Sequence, residues 1–200
     1  MGTGPETPRQ QGYYMPAEWH PHAACWMAWP SSEATYQGAP EGRKITYAKA
    51  KIAYSKVGIR RFDCPLVLEG GGIHVDGEGT LLVTENCLLN KNRNPDLSKV
   101  QVEEYLQQYL NIRKIIWLNG NVPSDMTDGH IDGLACFIRP GVVLAASPTD
   151  ESHPDYDVLL ENLEILRHSS DEKGRPLEVV EIATPSRRLE KRHDPGCLLR

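Results

Sequence analysis

A strand, strand, helix, strand pattern runs twice along this chain, and that repetition restricts its folding more than any single segment does. The first copy opens at Pro65 with PLVLEGGGIHVDGEGTLLVTENCLL. It reads as a strand ending at Glu69, a glycine turn, and a hairpin turned by Asp76-Gly77 and Glu78-Gly79. Ser98 and Gln101 form a capping box for a helix reaching about Leu110, with Val102, Tyr105, Leu106 and Tyr109 at helical spacing. KIIWL follows as a buried strand, and Asn119 to Asp128 as a polar loop. The second copy repeats this order: HIDGLACFI, the turn RPG and VVLAAS make a hairpin. A helix begins at Pro154 with Val158, Leu159, Leu163 and Leu166 in one stripe, and GRPLEVVEI closes with a strand. The fold class is therefore α/β.

The N-terminal part is less patterned. Residues 1 to 12 are Gly, Pro and polar, the composition of a mobile N-terminus. The stretch Tyr13 to Ser32 holds three of the four tryptophans, Trp19, Trp26 and Trp29, and ACWMAW reads as a short strand ended by Pro30. Packing in an aromatic core is the commoner fate of such a cluster; stacking on a substrate is the alternative, with Trp29 the candidate. Residues 37 to 60 are basic and weakly helical between Ile45 and Val57.

Composition excludes several classes. The formal charge is -5, and Lys and Arg cluster only at Arg187, Arg188, Lys191 and Arg192, so no nucleic-acid footprint is expected. Five cysteines of irregular spacing (Cys25, Cys64, Cys87, Cys136, Cys197) suit reduced thiols in a cytoplasmic protein. No apolar run approaches the roughly 20 residues a bilayer needs.

The polar residues at the strand ends carry the chemistry. Glu69 precedes Gly70, Gly71 and Gly72, which permit φ > 0 and close ligand approach. One repeat later His130 and Asp132 stand at the start of an extended segment, so both side chains of His-x-Asp point to one side. Two carboxylates accept the N–H fork of a guanidinium. A histidine beside them, its protonated form favoured, suits a general acid that protonates a leaving amine. A divalent metal is the competing use of His74, Asp76, His130, Asp132, His20 and His22, but no HExxH or CxxC accompanies them. His74 and Asp76 read as turn-stabilising hydrogen-bonders.

MPAEWHPHAACWMAWP, LVLEGGGIHVDGEGTLLVTENCLLNKNRNPDLSKVQVEEYL, IIWLNG, TDGHIDGLACFIRPGVVLAA and TDESHPDYDVLLENLEIL closely resemble agmatine deiminase, of the peptidylarginine-deiminase-like, guanidino-modifying superfamily, in its plant form. The likeness covers Tyr13 to about Trp29 and Pro65 to about Ile182. It implies hydrolysis of agmatine to N-carbamoylputrescine and ammonia, a step towards putrescine, without metal or organic cofactor. It also implies a pentein, a five-bladed propeller of ββαβ-like units, of which this chain would hold about two to three.

Under the resemblance, Glu69 of LEGG and Asp132 of DGH-x-D bind the guanidinium, and His130 is the general acid-base. The chain departs from the pattern in two places. The family's Arg-Asp-(Thr/Ser)-Gly-Pro segment, with a further guanidinium-binding Asp, is replaced by residues 37–60. The nucleophilic cysteine, in a Gly-rich His-Cys-x-Thr context, has no match, and Cys197 in DPGCLLR lacks those surroundings. The resemblance thus divides the chain into residues 1–12, a partial pentein domain over 13–183 with a divergent junction at 37–60, and an unmatched tail over 184–200. It implies impaired activity, and pairing with itself or a longer homologue. A non-catalytic binding or regulatory fragment is the alternative.

Overall fold

The computed structural model describes residues 6–23, 58, 60–123, 125 and 127–184. The Trp26 and Trp29 strand, the Ile45 to Val57 helix and the tail basic cluster lie outside the described residues. Contacts divide the chain into two units, Trp19–Asp63 and the remainder, Met1–Glu18 with Cys64–Arg200. In the smaller unit, the Arg60 guanidinium lies 4.8 Å from the Phe62 ring centre.

The larger unit contains two three-stranded sheets built to one plan. In the first, β1 (His74–Val75) pairs antiparallel with β2 (Thr80–Thr84), which pairs parallel with β3 (Lys114–Leu118). In the second, β4 (Ala135–Arg139) pairs antiparallel with β5 (Val142–Ser147), and β5 pairs parallel with β6 (Glu178–Ala183). A short helix α1 (Glu85–Leu88) follows β2, and the crossover helices are α2 (Lys99–Leu110) and α3 (Tyr156–Arg167). Each sheet is thus a ββαβ unit, as the repeated pattern requires. Arg9–Gln11 forms a 3-10 turn, and the Met15 N–H donates to Leu110 O, so this segment is tied to the end of α2.

The capping box opens α2 as expected: Ser98 accepts from Gln101 N–H, and Gln101 Oε1 accepts from Ser98 N–H. Asn111 ends it in the left-handed region, φ 57.

β2 is buried on both faces, which explains its unbroken apolar run. Leu81 and Val83 pack with Val102 and Leu106 of α2. Leu82, with Ile116 and Leu118 of β3, packs in the second cluster, which holds Val143, Ala145, Leu159, Leu163 and Leu166 of the other unit. Helix α3 therefore covers its own sheet and joins the core shared with the back of the first. The register positions in the second sheet that match Leu82, Ile116 and Leu118 are Leu144, Val180 and Ile182. Val180 and Ile182 are 38% and 50% exposed.

Four local expectations are corrected. The segment before Glu69 is extended but not a strand, because its partner is a side chain: Asn94 accepts from Val67 N–H and donates to Val67 O and Leu88 O. Gly70–Gly72 form a 3-10 turn without positive φ. Glu85 to Leu88 are helical rather than extended, because Thr84 Oγ1 accepts from Cys87 N–H and starts α1. Asp76 does brace its turn, accepting from Glu78 N–H and Thr80 N–H. His74 does not; its buried Nδ1 accepts from Phe137 N–H at 3.1 Å and so ties the first hairpin to the second.

Candidate functional site

The site forms where the loop after Glu69 meets the loop before β4. Asp125 shapes the second loop by accepting from Thr127 N–H, Thr127 Oγ1–H and Gly129 N–H within 2.7 to 2.8 Å. Gly129, at φ 77, passes so close to Gly120 that a Cβ would lie 2.0 Å from its carbonyl oxygen, so only glycine fits. Thr84 Oγ1 donates to Gly129 O at 2.5 Å, anchoring the loop to the end of β2. His130 comes next, and Ile131–Gly133 turn as a 3-10 helix. His130 and Asp132 therefore sit on a tight turn, and the expectation of an extended pair is corrected, although the two side chains still meet.

That turn delivers His130 to Glu69. His130 Nε2 lies 2.6 Å from Glu69 Oε2, and His130 Nδ1 lies 4.0 Å from Asp132 Oδ1. The missing side chain of Gly71 makes the approach possible: a Cβ there would stand 2.5 Å from His130 Nδ1 and 2.6 Å from Asp132 Oδ2. The value of this glycine is its missing methyl group, since its φ is ordinary.

Arg93 completes the cluster, and the sequence reading did not single it out. Its Nε and Nη2 donate to Glu69 Oε2 at 2.9 and 2.7 Å, and Nη2 also donates to Thr127 O. Nη1 donates to Asp128 Oδ2 at 2.7 Å and to Asn92 Oδ1. All five guanidinium N–H groups thus find acceptors. The sequence signal was the run NKNRNPD, a polar loop with one arginine among asparagines. Asp128 stands in the left-handed region, φ 62, and also accepts from Asn92.

Electrostatics follow from these contacts. Burial pushes the Glu69 carboxyl up, but the hydrogen bonds from His130 and Arg93 outweigh it and hold the group below the usual carboxylate range. Asn92 and Arg93 hold Asp128 low in the same way. Burial pulls the Arg93 guanidinium down, yet Asp128 and Glu69 raise it on balance. Glu69 Oε1, Asp128 Oδ1 and the 61% exposed Asp132 carboxylate accept no hydrogen bond among the described residues, and are acceptors open to an incoming cation.

Cys87 lies beside this cluster. Its Sγ, a Glu69 oxygen and a His130 nitrogen fall within 4.8 Å of one another, a donor set that suits a borderline-soft divalent ion. The fit is incomplete, since His130 and Glu69 already bond each other and Arg93 holds the same carboxylate. Burial pushes the Cys87 thiol up, the reverse of what a nucleophile needs. Trp29 lies outside the described residues, as do residues 37–57 and 59 of the 37–60 junction.

Residues 39–196 match the profile of the Porphyromonas-type peptidyl-arginine deiminase family. The chain belongs to this family. A Legionella pneumophila relative that carries the name agmatine deiminase provisionally is 35% identical; the match takes in 89% of this chain and 75% of the relative. That alignment is 267 residues long, more than the 200 residues of this deiminase-family chain, so the relative has segments without counterpart here. Among solved structures, the agmatine deiminase of Enterococcus faecalis superposes with TM-score 0.64 at 40% identity, over 68% of this chain and 38% of its own. A Cys-to-Ser variant of C. jejuni agmatine deiminase with substrate bound gives 0.59 at 33%, over 72% of this chain and 42% of its own. The chain therefore spans less than half the length of the solved deiminases it matches.

Proposed function

We propose that this chain carries the guanidinium-binding and proton-transfer half of an agmatine deiminase-like site, for the hydrolysis of agmatine to N-carbamoylputrescine and ammonia on the way to putrescine. The observation that carries this reading is the contact of His130 with Glu69, with Asp132 at the other ring nitrogen, beneath a glycine that leaves room for both. Glu69 and Asp132 take the N–H groups of the planar cation, and His130 moves a proton to the departing ammonia and then from the attacking water. Trp29 is the aromatic side chain proposed to stack on the substrate. The two ββαβ units are blades of a pentein propeller, residues 13–183 carry the family domain, and the free thiols Cys64, Cys87 and Cys136 suit a cytoplasmic setting.

The covalent step needs a thiolate to attack the guanidinium carbon. The family's cysteine context has no match within these 200 residues, and buried Cys87 is poorly disposed to replace it. The 200-residue polypeptide alone is therefore proposed to bind agmatine and to turn over little or none. The second reading, a binding fragment that pairs with a longer homologue, is favoured by one observation: Val180 and Ile182 are exposed where the first unit buries their equivalents.

Agmatine titration by calorimetry, with ammonia release measured with and without chelator, tests these readings. Binding without turnover is expected, and chelator does not change it. Turnover that a chelator abolishes, or no agmatine binding, would overturn the proposal.

A further inference from the structure

Arg93 is a cation, its side chain 10% exposed, in a site proposed to receive a cation, and its geometry decides what that site can offer. Glu69 Oε2 is saturated: it accepts from Arg93 Nε, Arg93 Nη2 and His130 Nε2. Asp128 Oδ2 likewise accepts from Arg93 and Asn92. Of the three carboxylates around His130, two share the single positive charge of Arg93.

We propose that Arg93 is a positioning residue: by holding Glu69 Oε2 and Asp128 Oδ2 it fixes Glu69 so that Oε1, with the Asp132 carboxylate, is presented to a ligand's guanidinium. This rests on the guanidinium-binding reading above and deepens it. Arg93 also ties together two loops that each hold half the site, because Thr127 O and Asp128 belong to the loop of His130 while Glu69 belongs to the other. Lysine, a point donor, cannot make the five bonds that hold this arrangement.

The experiment compares wild type, Arg93→Met and Arg93→Lys in two measurements. The first is agmatine affinity by calorimetry across pH. The second, without agmatine, is the titration of the Glu69 carboxyl by carbon NMR, with Glu69→Gln identifying its resonance. Arg93→Met is expected to weaken agmatine at least about tenfold at neutral pH, because Glu69 and the His130 loop lose the fork that holds them in place. It should also move the Glu69 titration upward, because a depressed carboxyl loses its cation. Arg93→Lys should recover the titration, since it restores the charge, but not the affinity, since it lacks the fork.

A Glu69 titration unmoved in Arg93→Met overturns the assignment, whatever happens to agmatine. So does Arg93→Lys with wild-type affinity. If wild type fails to bind agmatine while the titration moves in Arg93→Met, the guanidinium reading falls and the hold of Arg93 on Glu69 stands. Should Arg93→Met not fold, Arg93→Lys carries both measurements.

Discussion

Replacing Gly71 with alanine separates the site from the fold. The new methyl carbon would stand 2.5 Å from His130 Nδ1 and 2.6 Å from Asp132 Oδ2, where ordinary contact begins at 3.4 Å. One or both side chains must therefore retreat by about 1 Å. Asp132 is free to swing into solvent, but His130 can retreat only by stretching its contact with Glu69. A displacement of this size can cost on the order of 100-fold in a rate, and agmatine binding is expected to fall at least about tenfold, or about 1.4 kcal/mol. Stability should hardly change, because Gly71 has an ordinary φ, and Gly→Ala at a compatible position gains about 0.4 to 1 kcal/mol from the unfolded chain. Gly70→Ala is the control, since nothing lies within 4 Å of its Cβ. Calorimetric titration with agmatine and urea unfolding of both variants provide the assay. Near wild-type affinity in Gly71→Ala, or equal damage in Gly70→Ala, would refute the steric reasoning.

Other outcomes follow from the same contacts. His130→Ala and Asp132→Ala should each abolish the rise in melting temperature that agmatine produces, while Cys197→Ser leaves it intact; loss in the Cys197 variant alone would misplace the site. Thr84→Val removes a buried donor from Gly129 O and the cap of α1. It should cost about 1 to 3 kcal/mol in urea unfolding and weaken agmatine as well, and a stability loss with unchanged affinity would show that the loop needs no anchor. Asp171 is buried; burial pushes its carboxyl up, but the N–H groups of Arg175 hold it below the ordinary range on balance. A depressed carboxyl contributes stability above its unfolded pKa, and that contribution disappears as pH falls through the folded value. The melting-temperature deficit of Asp171→Asn should therefore be largest at neutral pH and shrink in acid; a deficit independent of pH would sink this account.

The sequence revealed most where the interactions are local. The Ser98 and Gln101 capping box, the turn bonded by Asp76, and the two ββαβ units all depend on neighbours a few residues apart, or on period. Glu69 and His130 could be singled out because their glycine-rich surroundings mark close approach. Arg93 could not, because its partners Glu69, Thr127 and Asp128 are brought to it by loops closed over 24 to 35 positions. The 3-10 turn at Ile131–Gly133 escaped for a related reason: its apolar and polar residues alternate as a strand's would, and only the buried Ile131 in the shared core sets the turn. His74 was assigned to its own hairpin when its true acceptor role crosses to Phe137.

That last bond makes the joint between the halves sensitive to acid. With Nδ1 accepting from Phe137 N–H, the imidazole proton must reside on Nε2, which lies 3.5 Å from the Glu18 carboxylate. Burial drives the His74 pKa down, against a weaker upward pull from Glu18, so the native ring stays neutral where an exposed one would charge. Adding a second proton would set two donors face to face across the seam. Stability should therefore decline as pH drops below the unfolded histidine value of about 6.5. The amide of Phe137 should be among the first to exchange, as the two hairpins part before either sheet comes undone.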